Sequence, residues 1–140
     1  MSRKDFYHEE VKRALINSGW TITHDPYTIK RSLKDRIHID LGAEQLFAAE
    51  KGPEKIAVEV KNFVGPSNRN ELHRLIGQVV DYTLLLKEVE PDRQLFVAVP
   101  EEAWLNYLQR DIIHANLRMV KTKLVIVDVD KQKIVEWISK

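Results

Sequence analysis

Three residues carry the chemistry that this sequence could perform: Asp40, Glu59 and Lys61. Glu59 and Lys61 lie two apart in the run Lys55 to Lys61. There Ile56, Val58 and Val60 alternate with Ala57, Glu59 and Lys61, so both charged side chains leave one side of a strand. Asp40 is the last polar residue of a second alternating run, Arg36 to Leu41, in which His38 and Asp40 oppose Ile37, Ile39 and Leu41. If the sheet brings the two strands together, two carboxylates meet, and they repel unless a cation neutralises them. Mg²⁺ (or Mn²⁺) suits such a site because it takes oxygen ligands and keeps several waters. The backbone carbonyl of Val60 offers a further oxygen between the two motif residues. Lys61, held charged by its acidic neighbours, suits positioning an attacking water or stabilising charge on a phosphate. The competing reading is a solvent-facing Glu-x-Lys pair, an ordinary cross-strand arrangement.

Positioning these groups requires a framework, and the chain spells one out. Apolar positions from Lys4 to Ser18 form one helical stripe, and Gly19 stops it. Trp20 to Thr23 reads as a strand, ended by Asp25-Pro26, and a basic loop follows. The runs 36–41, 45–50 and 55–61, with a turn at Gly52-Pro53, read as an antiparallel meander. Glu71 to Lys87 forms a helix that turns Leu72, Leu75, Ile76, Val79, Val80, Thr83 and Leu86 inward. Gln94 to Val99 is a buried strand, Glu101 to Gln109 a helix, and Lys123 to Val129 and Ile134 to Ile138 a closing hairpin. The order α-β-β-β-α-β, then a helix and a hairpin, predicts an α/β (α+β) mixed sheet flanked by helices.

Composition sets the bounds. The 140 residues suit one domain, 1–140, and the 44% hydrophobic and 31% charged fractions are those of an ordinary globular protein. No run of about 18 apolar residues marks a membrane span, the charged start lacks a secretory signal, and a cytoplasmic location is expected. With no cysteine, disulfides and thiolate–metal sites are excluded. A net charge of +1 says little about partners, but Lys30, Arg31, Lys34 and Arg36 cluster as a candidate nucleic-acid contact or a solvated loop. His73 and His114 read as exposed, and the three tryptophans as packing residues. Leu84-Leu85-Leu86 is apolar nearly all round its helix, which suggests a second buried surface such as a homo-oligomer contact.

Ile39-Asp40 followed after a hairpin by Glu59-Val60-Lys61 resembles the signature of PD-(D/E)XK nucleases, with Ile39 where that superfamily has proline. Gln78 to Tyr82 resembles the Q-x-x-x-Y element of RecB-like members, whose Gln and Tyr face the site. The likeness sharpens in Trp20-Thr-Ile-Thr-His-Asp-Pro, Ile39-Asp-Leu-Gly-Ala-Glu, Ile56-Ala-Val-Glu-Val-Lys, Phe63-Val-Gly-Pro-Ser, Glu90-Pro-Asp-Arg, Val97-Ala-Val-Pro-Glu-Glu and Ile134-Val-Glu-Trp-Ile. These run in the order seen in the XisH family, cyanobacterial factors that control excision of the fdxN element. The resemblance implies a restriction-endonuclease-like core and a catalytic set of Asp40, Glu59, Lys61, Gln78 and Tyr82. It further implies action on DNA and a small partner of the XisI type. It also points to His8 and Glu9 as auxiliary groups from the first helix, although the helical stripe itself turns Glu9 away. Two functions remain open: a metal-dependent endonuclease, and a non-catalytic factor that binds DNA or its partner and directs the recombinase.

Overall fold

The computed structural model describes residues 7–32, 38–41, 46–63 and 68–139; for 30–32 and 38–41 it describes the backbone. The elements run α1 (His8–Asn17), β1 (Thr21–His24), β2 (Ile29–Ser32), β3 (His38–Leu41), β4 (Leu46–Lys51), β5 (Glu54–Val60), α2 (Asn68–Val89), β6 (Arg93–Pro100), α3 (Glu101–Ala103), α4 (Asp111–Met119), β7 (Leu124–Asp128) and β8 (Lys133–Ile138). A π-helical turn, Trp104–Leu108, continues α3.

Six strands form a mixed sheet in the order β1-β4-β5-β6-β7-β8. β4 runs antiparallel to β1 and β5, β6 lies parallel to both β5 and β7, and β8 closes an antiparallel hairpin. The parallel steps β5–β6 and β6–β7 need crossovers, and the preferred right-handed crossing puts both on one side. So α2, with Ala103, Leu108, Ile113 and Leu117 of the second crossover, packs on Leu46, Ala57, Val97 and Ile126. On the other side Val11, Ala14 and Leu15 of α1 meet Phe47, Val58, Ala98 and Val125. Trp137 of β8 joins Phe96 and Trp20 there, with ring centroids 5.0 and 5.7 Å away.

The expected meander is corrected by this topology. Both edges of β4 are taken, by β1 and β5, so the 36–41 strand cannot join there. β3 instead pairs with β2 in a separate two-stranded ribbon, with Lys30 opposite Asp40 and Arg31 opposite Ile39. Part of the expected basic loop is therefore a strand. Ile29 anchors that ribbon in the α2 layer, and the Tyr27 N–H donates to the Leu46 carbonyl at 2.8 Å.

On α2 the inward stripe is Leu72, Leu75, Val79, Tyr82, Leu85 and Leu86. Val80, expected inward, is 40% exposed, and Leu84 is 58% exposed. Together with Met119 they border an apolar hollow of about 460 Å³ between α2 and the α4–β7 connection. His114, expected exposed, is half-buried with its ring edge-on to Trp104 at 5.3 Å. Gly77 is exposed in the interior of α2, and an added Cβ would meet nothing within 4 Å. Gly77→Ala is thus expected to stabilise the protein by ~0.5–1 kcal/mol through lower unfolded-state entropy. Urea denaturation of the two proteins measures this.

Candidate functional site

Glu59 is the penultimate residue of β5, paired with Leu46 of β4 and Val97 of β6. Its neighbour two residues back on the same side, Ala57, packs in the α2 layer, whereas Val58 and Val60 pack against α1. The carboxylate thus enters the space between sheet and α2, where only 4% of Glu59 remains exposed. Lys61 leaves the strand on that side, fixed by its own N–H to the Ala98 carbonyl at 2.9 Å. Its Nζ lies 3.7 Å from Glu59 Oε1, with 10% of its side chain exposed. At that separation the two form a desolvated ion pair rather than a direct hydrogen bond.

Gln78 sits on α2, in the layer that Glu59 enters, and among the described residues its buried Oε1 has no hydrogen-bond partner. A buried acceptor left this way is costly, and it marks a position that suits a water or ligand donor. Tyr82, one turn further, is buried with Leu75 and Val79. The Val60 side chain is committed to the α1 side. Asp40 is placed by its backbone on β3, opposite Lys30. The ribbon carrying it starts beside Leu46, the register partner of Glu59, and its other strand, β2, packs through Ile29 in the α2 layer. Lys30 and Arg31 stand on β2; Lys34 and Arg36 lie outside the described residues.

The first-helix candidates have other partners. The His8 ring pairs with Asp25 Oδ1 at 3.1 Å and stacks edge-on to Phe47 at 5.4 Å. Lys12 bridges Asp25 and the exposed Glu9. Among the described residues no group of three or more His, Asp or Glu side chains is placed to hold a metal ion. A second charged cluster lies at the far end of the sheet and escaped the reading of motifs as chemistry. Arg93, 2% of whose side chain is exposed, donates to Glu90 at 3.0 Å, to the Ile56 carbonyl at 3.0 Å and to Glu50 at 3.1 Å. Its guanidinium carbon also lies 5.3 Å from the centre of the Tyr27 ring.

These clusters set the acid response. Burial works to raise Asp25, but hydrogen bonds from Lys12 and His8 outweigh it and hold the carboxyl below its ordinary value. Burial likewise works to raise Glu90, and the bonds from Tyr27 and Arg93 prevail and lower it. Groups with a depressed folded pKa stabilise fully above their ordinary values, 3.8 and 4.5, and lose that contribution as pH falls through the folded values. The urea midpoint should therefore fall below pH about 4, and Asp25→Asn should make that fall shallower.

The XisH protein family model matches residues 1–135. The chain belongs to the XisH family. A crystal structure of an XisH family protein from Nostoc punctiforme PCC 73102 is 38% identical, covering 94% of this chain and 98% of that one, with a TM-score of 0.83. A second, of a fdxN element excision controlling factor protein from Anabaena variabilis, is 39% identical over 96% of this chain and 98% of that one, with a TM-score of 0.85. Comparison with curated proteins yields no match. The mixed six-stranded sheet flanked by helices is thus an XisH fold, as the motif order implied. Among the described residues no XisH helix here is long and apolar enough to cross a membrane.

Proposed function

We propose that this XisH protein acts on DNA during excision of an fdxN-type element, as a metal-dependent endonuclease of the PD-(D/E)XK kind. The observation that carries the proposal is the burial of Glu59 and Lys61, 3.7 Å apart, in the layer where Gln78 Oε1 lacks a partner among the described residues. A surface Glu-x-Lys pair would not be desolvated in this way. The general role follows the name of the Anabaena variabilis relative, a fdxN element excision controlling factor. Asp40, Glu59 and the Val60 carbonyl would hold Mg²⁺ or Mn²⁺, which when bound lowers the pKa of a water and neutralises phosphate charge. The donor set of two carboxylates and a carbonyl fits such a hard cation.

The chain's own groups do the rest. Lys61, within reach of Glu59, holds a phosphate oxygen or the incoming water in line and stabilises charge gained in the transition state. Gln78 accepts a hydrogen bond from that water through its orphaned carbonyl, which fixes the water's orientation. Tyr82, one turn along α2, supports Gln78 from within the core. Lys30, Arg31, Lys34 and Arg36 meet the DNA backbone, and a XisI-type protein or a second copy completes the assembly in a cytoplasmic setting.

The mutual neutralisation of Glu59 and Lys61 favours one other reading: a resting ion pair in an accessory factor that guides the recombinase without cutting. A nuclease assay with Mg²⁺ or Mn²⁺ on branched, single-stranded and duplex DNA, alone and with the XisI-type partner, separates the two. Metal-dependent cleavage supports the endonuclease. Its absence under all of these conditions leaves the accessory factor.

A further inference from the structure

Beside Lys61 the chain builds a hollow that, among the described residues, no expected site residue lines. It opens at the C-terminal ends of β5 and β6, where the parallel strands of α/β sheets leave a crevice for ligands. Asn62 and Phe63, directly after Lys61, form one wall; Pro100, at the end of β6, and the helical turn after it form the other. The volume of about 540 Å³ falls within the range of small-ligand sites.

Its chemistry is specific. Three side-chain amides line it, from Asn62, Asn68 and Asn106, with one carboxylate, Glu102, and one guanidinium, Arg110. Among the described residues these two charges are opposite in sign, so the amides set the character of the lining. Amides present donor and acceptor together, as the edge of a nucleobase does. Tyr107 supplies an aromatic wall, backed by the buried Phe63, their rings tilted with centroids 5.8 Å apart.

Two backbone irregularities converge on the same place. Phe63 adopts φ +53°, a left-handed conformation that a bulky residue rarely takes, and it does so two residues after Lys61. The π-helical turn Trp104–Leu108 delivers both Asn106 and Tyr107, and π turns of this kind recur at functional sites.

We infer that this hollow is a pocket for one unpaired nucleobase of the DNA strand presented to Lys61. A paired base keeps its Watson–Crick edge and both faces inside the duplex, so a concave, aromatic-walled, amide-lined pocket can take only an unstacked one. The inference deepens the proposed action on DNA and rests on that reading for the identity of the ligand.

The test is fluorescence anisotropy with a labelled single-stranded oligonucleotide and a duplex of the same sequence, in EDTA so that cleavage plays no part. Asn106 is exposed, so Asn106→Ala and the pocket-filling Asn106→Trp keep the fold. Both are expected to weaken single-strand binding about tenfold, with duplex binding and the salt dependence unchanged, because no phosphate contact is lost. Unchanged single-strand affinity in both variants overturns the pocket, as does a wild type that does not bind single strands, or an equal loss for duplex. Lys61→Ala, assayed for cleavage in a Mg²⁺ buffer without EDTA, separates the two claims. If Asn106 variants bind normally while Lys61→Ala alone stops Mg²⁺-dependent cleavage, the pocket falls and the nuclease stands. If Asn106 variants lose single-strand binding and the wild type cuts nothing, the pocket stands and the nuclease falls.

Discussion

Lys61→Ala is expected to reduce Mg²⁺-dependent DNA cleavage by ~10²–10³-fold while DNA affinity stays near wild type, the loss typical of removing one preorganised group that meets transition-state charge. The expectation follows from where the ammonium sits. It is desolvated beside Glu59 and anchored through its backbone to Ala98, so its position is set before substrate arrives. In that low-dielectric layer its charge acts more strongly than it would in water. Removing it also leaves Glu59 buried beside a void, so Lys61→Gln, which keeps most of the volume, serves as the control. Single-turnover cleavage with saturating enzyme reads the effect. If Lys61→Gln and Lys61→Ala both cut at the wild-type rate, Lys61 has no part in the chemistry.

The largest effect on stability is expected at Arg93. Replacing it with alanine should cost ~3 kcal/mol, the lower end for breaking a buried pair from one side, because Glu50 and Glu90 keep some contact with water. The loss includes the hydrogen bond to the Ile56 carbonyl, which joins the start of β6 to β5, and the packing on Tyr27. Burial first, and then the hydrogen bond to Glu90, pushes the Tyr27 hydroxyl up to about 12. Without Arg93 the Tyr27–Glu90 pair loses the cation that shares Glu90. Arg93→Lys keeps the charge but cannot reach three acceptors with one planar fork, so it should recover only part of the loss. Urea denaturation of the three proteins tests the order wild type, then Lys, then Ala. A midpoint for Arg93→Ala within error of wild type would show that the cluster contributes nothing net.

How much of this was legible beforehand depends on how local each signal is. The Glu59–Lys61 strand was legible because strict alternation and the Gly52-Pro53 turn both lie within the β4–β5 hairpin. The partner of β3 was not, because pairing is a non-local choice: β2 and β4 are both short antiparallel candidates, and only occupation of both β4 edges by β1 and β5 decides it. Four residues of β2, two of them basic, look like loop until Ile29 is seen buried. On α2, Leu84-Leu85-Leu86 is apolar in every direction, so the helical wheel could not tell that Leu84 and Val80 face outward while Tyr82 and Leu85 face the sheet. The helix Asp111–Met119 was missed outright, since its buried stripe is two residues, Ile113 and Leu117. The π turn that carries Asn106 and Tyr107 has no pattern of its own to read.

For the site, residue type and spacing pointed to Glu59 and Lys61, and the fold buries them together. His8 and Glu9 were implied by family likeness alone, and their ties to Asp25 and Lys12 depend on a loop that returns beside α1, which spacing cannot foretell. Arg93 and Glu90 stood inside a quoted motif, but a motif does not say whether its charges serve chemistry or architecture; burial at the sheet end opposite Lys61 does.

The most direct trial is Mn²⁺ binding followed by electron paramagnetic resonance of the free ion, on wild type, Asp40→Asn, Glu59→Gln and Lys61→Ala. A gripped cation predicts one saturable site in the wild type, lost in both carboxylate variants and retained or tightened in Lys61→Ala, where a competing positive charge is gone. Equal Mn²⁺ uptake by wild type and Glu59→Gln would contradict a metal held by that carboxylate, and with it the assignment of this buried pair to catalysis.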